Sequence, residues 1–390
     1  MNTVSYFKKQ FQENMQTYAI ILALGAIWIL FSILTGGRYM GAQNFSNLFR
    51  QMTVTSFLSV GMVLIIVTGN IDLSVGKFAG FVSVMVAHYQ AYVWYDLIPD
   101  QPALAAFLSI LIGLGVGLIF GVIQGYLIAY LRIPSFIVTL GFMWIFNGLI
   151  LVRTEGKTIP ANQPIFSSIA QGYLPLLWGW ILALFVVGLL YFMMFQGRRN
   201  KRRYGFELDP LTIDMVKTSI FALLILVYVL IVNQYNGVQL PVLLLAITAV
   251  VFSYVTTDTP LGRYTYAIGG NSEAARLSGV NIQKNVFMVF VLMGLLCGIS
   301  GIMLASYVGY GTVAAGQGYE LDAIASCILG GTSTLGGVGT VFGAMVGSLI
   351  MASLTNGLQI LNVKAAWQYV LKGIVLVIAV YADVYLKKKS

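Results

Sequence analysis

The chain has 390 residues, of which 58% are hydrophobic and only 9% charged, and its mean hydropathy is +0.86. A water-soluble domain carries roughly a quarter charged residues, so the composition excludes one, and with it any soluble catalytic domain beside the apolar segments. The net charge of +9 does not point to nucleic acid, because the basic residues lie in short connections between apolar runs, with no aromatic platform or basic face around them.

One crossing of a bilayer takes about 20 residues. The apolar runs predict spans near 18–34, 52–69, 73–93, 103–130, 135–152, 174–195, 218–232, 239–256, 286–307, 319–334, 338–356 and 366–384. Runs 218–232 and 319–334 are short for the hydrocarbon core, which makes each a candidate broken or re-entrant segment. The predicted fold is therefore all-α: a polytopic transmembrane helical bundle of 10 to 12 spans, forming one domain over 1–390. The first run is long for a signal-peptide core and no A-x-A-like cleavage site follows it, so it is read as a retained helix.

Orientation follows from Lys and Arg. With the N-terminus cytoplasmic, Lys8, Lys9, Lys77, Arg132, Lys217, Arg263, Arg276, Lys284, Lys387, Lys388 and Lys389 are inside, as is the run Arg198–Arg203. Only Arg38, Arg50, Arg153, Lys157 and Lys364 are left outside. Both termini are then cytoplasmic. The basic loop 197–217 is read as topogenic, anchored to anionic membrane lipid at about 1 kcal/mol per basic residue. Gly156, Lys157 and Thr158 read G-K-T, but Leu151 stands where a phosphate-binding loop needs glycine, so no nucleotide site can be written. Cys297 and Cys327 lie in apolar runs and are read as packing residues.

Two breaks stand inside apolar stretches, at Thr68–Gly76 and at 330–340. Interrupted helices are tolerated where they line a cavity. Asn70, Asp72, Ser74, Thr332 and Ser333 in these breaks are candidate pathway groups, with capping as the more ordinary role for Asp72. Polar residues within spans add Gln124, Asn147 and Asn356 as pathway candidates, and Thr139 beside them. Gly113, Gly117, Gly121 and Gly125 recur every fourth residue, as do Gly339, Gly343 and Gly347, which predicts close helix–helix packing. Lys372, near the start of the last span, is read as snorkelling, with an acidic partner elsewhere in the bundle as the alternative. Asp72, Asp258, Glu320, Asp322 and Asp383 fall at or near segment ends, which speaks against the alternative of a gradient-driven transporter or channel. No cluster of His, carboxylates or nucleophile with base speaks for an enzyme.

The connection 257–285 is the most informative. Gly269 and Gly270 break the chain, Asn271 or Ser272 caps, Glu273 suits the positive end of a helix and Arg276 its negative end, and Gly279 stops it. This predicts a helix of about two turns at the cytoplasmic face, too short to fold alone. Two readings stay open on these grounds: a loop packed on its own spans, or a contact that transmits force from a cytoplasmic partner.

The stretch Gly262–Val280, GRYTYAIGGNSEAARLSGV, resembles the signature inner loop of permeases from bacterial ABC importers of monosaccharides, the ribose, galactose and xylose group. TGNIDLSVG at Thr68–Gly76, RIPSFIVTLG at Arg132–Gly141 and CILGGTSTLGGVGTVFGAMVG at Cys327–Gly347 agree. The added length around the basic loop is most similar to the xylose-type and multiple-monosaccharide members. The resemblance implies a permease in the bacterial inner membrane that couples to a separate ABC ATPase, which binds ATP and Mg, while this chain binds no cofactor or metal. It also implies a second permease copy, with a homodimer expected, and an extracytoplasmic sugar-binding protein. It places the ATPase-coupling helix at Ser272–Ser278, within Gly270, Asn271, Ser272, Glu273, Ala274, Ala275, Arg276, Leu277, Ser278 and Gly279, with Glu273 and Arg276 as candidates for pairs across the interface.

Overall fold

The computed structural model describes residues 15–387 apart from 162, 207 and 209. Lys8, Lys9, Lys388 and Lys389, used above for orientation, lie outside the described residues. The helices are α1 (Met15–Leu34), α2 (Ala42–Val67), α3 (Val75–His88, prolonged by a π-helical turn at Tyr89–Val93 and a last turn at Trp94–Leu97), α4 (Pro102–Ala129), α5 (Ser135–Thr154), α6 (Pro164–Gln171), α7 (Leu176–Arg203) and α8 (Leu211–Val232). The second half holds α9 (Leu240–Asp258), α10 (Pro260–Gly270), α11 (Ser272–Leu277), α12 (Ile282–Val308), α13 (Tyr319–Leu329), α14 (Val341–Ile360) and α15 (Ala365–Lys387). A two-residue antiparallel pair, β1 (Ile159–Pro160) with β2 (Tyr310–Gly311), ties two connections together.

Among the described residues eight helices, α2, α4, α5, α7, α8, α9, α12 and α14, are long and apolar enough to cross a membrane. The chain is thus an all-α polytopic membrane bundle. Shorter apolar stretches lie at Ile20–Leu34 in α1 and Ala365–Tyr381 in α15. Helix α2 is buried for most of its length and α12 and α14 for two-thirds of theirs, whereas α7 and α8 expose Leu, Phe and Val nearly all round. That pattern places α2, α12 and α14 at the centre and α7 and α8 at the lipid-facing edge.

Glycine decides the central packing. A Cβ on Gly117 would lie 2.5 Å from the Gly294 carbonyl oxygen, and one on Gly294 would lie 2.4 Å from that of Gly117. The expected α4 stripe therefore meets a matching stripe on α12, backbone against backbone, which in lipid replaces hydrophobic burial as the source of affinity between helices. Gly343 and Gly347 of α14 do the same against Gly330 and Ser326 at the end of α13.

Three expectations are corrected. The run at 218–232 is the end of a full-length helix, because α8 begins at Leu211 and Asp214 in its first turn pairs with Arg198 of α7. The basic segment is helical through Arg203 rather than a loop. Gly269 and Gly270 do not break the chain; α10 runs through both and ends at the Asn271 cap. The short run at 319–334 is, as expected, a broken element: α13 has 11 residues, entered through Gly316 and Gly318 at φ 68° and 78° and left through Gly330 and Gly331. Ser326 packs against Gly347, and Asp322 lines a cavity with Met351, both half-way along α14, so the first turn of α13 lies inside the bundle.

Candidate functional site

The segment after α9 folds from strong local signals. Thr259 accepts a hydrogen bond from Gly262 N–H at 3.3 Å and Pro260 opens α10. Asn271 Oδ1 caps α11 by accepting from Ala274 N–H at 2.9 Å. At the other end Val280 N–H donates to the Ala275 carbonyl and Gly279 N–H to that of Arg276, with Gly279 at φ 84°, a Schellman closure. Sequence and structure agree on α11 because each of its signals acts within five residues, whereas α10 was not read from the sequence.

Tertiary contacts then fix α10, from which this short helix continues, to the breaks. A Cβ on Gly269 would lie 1.7 Å from the Val67 carbonyl oxygen at the end of α2, and Gly337 N–H of the 330–340 connection donates to the same oxygen at 2.9 Å. Tyr266 Oη donates to the Gly339 carbonyl at 2.7 Å. Asn285 of α12 accepts from Thr265 at 3.0 Å and donates to the Leu261 carbonyl at 3.0 Å. Helices α10 and α11 thus touch both breaks and the central helix α12 at once.

Ala275 is buried, while Glu273, Arg276 and Leu277 point away, Leu277 being 74% exposed. Glu273 and Arg276 pair with each other through two hydrogen bonds of 3.1 and 2.5 Å, and this bond holds the Glu273 carboxyl below its ordinary range. In this chain the two are therefore partners of one another rather than two unpaired charges. Asn70, whose amide donates to Thr68 Oγ1 at 2.9 Å, borders a cavity of about 680 Å³ together with Ser272, Glu273 and Arg276.

The remaining pathway candidates do not form one site. Asp72 does not cap α3, whose N-cap is Ser74 with no side-chain capping bond; it forms a turn just before that helix, accepting from Ser74 N–H at 2.8 Å and Ser74 Oγ at 2.7 Å, and Gln124 of α4 donates to Ser74 Oγ at 3.0 Å. All three are buried. Asn356 exchanges hydrogen bonds with Asn44 of α2 at 2.9 and 3.1 Å, near the buried Tyr39. Thr332 and Ser333 are buried in the connection beneath Gly339. Asn147 alone lines a cavity at mid-helix, about 410 Å³, with Lys77, Trp144, Gln317 and Glu320.

Lys372 does not snorkel: its Nζ donates to Asp322 Oδ2 at 2.7 Å. The pairing is the alternative offered for Lys372 above, but neither Asp322 as the partner nor the neighbouring Glu320 could be named from sequence, because both do lie at a segment end, yet at that of a half-length helix that starts in the bundle interior. The two glycines at 316 and 318 were the available signal.

Residues 44–380 match the family described as branched-chain amino acid transport system / permease component. The chain is 40% identical to the xylose transport system permease protein XylH of Haemophilus influenzae, over 96% of this chain and 98% of that protein. It is 40% identical to XylH of Escherichia coli, over 97% and 94%, and 31% identical to the ribose import permease protein RbsC of the same species, over 97% and 96%. No solved structure matches the chain.

Proposed function

The chain belongs to the branched-chain amino acid transport system / permease component family and is the permease subunit of a sugar ABC importer, and from that premise we propose that its cargo is a monosaccharide of the xylose type. It forms the membrane pathway and takes its energy from ATP bound, with Mg, on a separate ATPase chain. A second copy completes the membrane unit, and an extracytoplasmic sugar-binding protein delivers the cargo. The chain sits in a bacterial inner membrane with both termini cytoplasmic and 10 to 12 spans, α1, α3, α13 and α15 adding to the eight long ones. The basic end of α7 meets anionic lipid.

Helix α11 is the coupling helix. The observation that carries this reading is its mounting: a short element capped at both ends that continues directly from α10, which is itself held through Gly269 to the end of α2, through Tyr266 to the 330–340 connection and through Thr265 and Leu261 to Asn285 of α12, with Glu273, Arg276 and Leu277 of α11 left outward. A push on such a helix moves the breaks with it, because close-packed backbone contacts have no slack. A rigid element whose position biases the pathway is what coupling requires.

The test is sugar-stimulated ATP hydrolysis by this chain assembled with its ATPase and binding protein, across pentoses and hexoses. Stimulation by xylose or a few related sugars, lost when this chain is omitted, is the expected result. Stimulation by non-sugar solutes alone would overturn the cargo, and hydrolysis indifferent to this chain would overturn the coupling.

A further inference from the structure

A third cavity, about 320 Å³, lies between α2, α13, α14 and α15 and is lined unlike the lipid-facing parts of the bundle. Gln51 and Thr55 come from α2, Gln317 from the approach to α13, Thr355 from α14, and Gln368 and Lys372 from α15. Its mouth lies toward the end of the bundle away from α11, where Gln51 Nε2 donates to Gln359 Oε1 at 3.1 Å. Its inner wall is Asp322, whose side chain is 9% exposed. Lys372 engages Asp322 Oδ2, but Oδ1 has no hydrogen-bond partner among the described residues. Glu320 Oε2, two residues earlier, is likewise without one. Buried carboxylate oxygens are rarely left without donors, and those that are call for a ligand or water.

We infer that this cavity is a transit site for an uncharged monosaccharide, whose hydroxyls meet the Asp322 carboxyl on the inner wall and the amides of Gln51, Gln317 and Gln368. The inference rests on the sugar-importer reading above and adds to it the place of contact. A sugar hydroxyl both donates and accepts, as does a glutamine amide, so neither needs a fixed partner orientation. A carboxylate oxygen accepts more strongly than a neutral group does. Lys372 already matches the charge of Asp322, so no unpaired charge faces the occupant, and a neutral polyol is favoured over an ion. The volume equals that of about ten waters at ~30 Å³ each, room for one ring bearing a hydroxyl on most carbons.

Gln317 lines this cavity and also the one bordered by Lys77, Trp144, Asn147 and Glu320. It stands between the two, where a solute leaving one enters the other. Positioned at the Gly316–Gly318 turn, it moves whenever α13 does.

The test uses the full importer in vesicles with its ATPase and binding protein. Thr355→Cys places a thiol on the cavity wall, and Leu184→Cys, on the exposed face of α7, serves as control; Cys297 and Cys327 are fully buried. Each is treated with sulfonatoethyl methanethiosulfonate, with and without transported sugar well above its transport KM. Full modification of Thr355→Cys is expected to lower uptake more than tenfold, sugar to slow that modification severalfold, and Leu184→Cys to respond to neither. Unchanged uptake after full modification, or equal modification rates with and without sugar, overturns the site. Gln317→Ala is expected to change the ratio of pentose to hexose uptake at unchanged membrane abundance, and an unchanged ratio counts against the shared position of Gln317. Unmodified wild-type chain that takes up no sugar in the same vesicles refutes the importer reading itself, separately from the site.

Discussion

Lys372 and Asp322 meet in a part of the chain where an unpaired charge is expensive. Removing one partner of a buried pair costs about 3–5 kcal/mol because the other charge is stranded, whereas replacing both by uncharged groups of similar shape is often neutral. Lys372→Met is accordingly expected to lower membrane abundance sharply, and Asp322→Asn added to it to restore most of that loss, as quantitative immunoblotting of membranes would show. Sequence offered Asp322 only as an acid near a segment end, because nothing local states that α13 begins half-way through the bundle. Neighbouring glycines differ just as strongly. Gly269 presses on the Val67 carbonyl, while nothing lies within 4 Å of where a Gly270 Cβ would sit. Gly269→Ala is expected to destabilise by about 1–3 kcal/mol or more through overpacking and to abolish transport, with Gly270→Ala near wild type in both. Equal behaviour of the two would contradict the backbone contact.

Helix α11 shows what an element inherits from its sequence and what it does not. Its caps, its length and its stop were all legible, since Asn271, Glu273, Arg276 and Gly279 act on neighbours within a turn. The mutual Glu273–Arg276 pair follows from i,i+3 spacing. An exposed pair of this kind contributes little to stability, so Glu273→Ala with Arg276→Ala is expected to leave membrane abundance unchanged while weakening co-purification of the ATPase. Normal co-purification and normal sugar-stimulated hydrolysis would reject the coupling role. The sign of the pH dependence is fixed by the same pair. With its pKa below the ordinary value of 4.5, Glu273 supports α11 fully above that pH and loses its contribution as pH falls through the lowered value. Coupling measured between pH 6 and 8 is expected not to vary through this group.

For the molecule as a whole, the basic end of α7 sets a testable orientation. A cysteine at Asn200 is expected to react with an impermeant thiol reagent only after cells are opened, and labelling of intact cells would invert the proposed topology. The number of spans is less simply read. Composition and run length marked twelve apolar stretches, of which eight are long and apolar enough to cross by themselves. Of the other four, α3 and α13 are shortened or interrupted for reasons visible only in the packing: α3 starts at Val75 with Gly76 against Glu320 and the Gly316 carbonyl, and α13 ends where Gly330 meets Gly343.

By itself the sequence determined that this is a membrane helical bundle, that two of its helices are interrupted, that glycine stripes pack them, and that a capped two-turn helix follows α10. Each of those properties depends on composition, on the period of one helix or on hydrogen bonds spanning a few residues. Only the tertiary structure decided that both interruptions touch α10 at Val67 and Gly337, that Asp322 lies beside Lys372, 50 residues away in sequence, and that glutamines from four separate segments line one cavity. Those are long-range pairings, set by which helix faces meet once the backbones approach, and no local pattern encodes them.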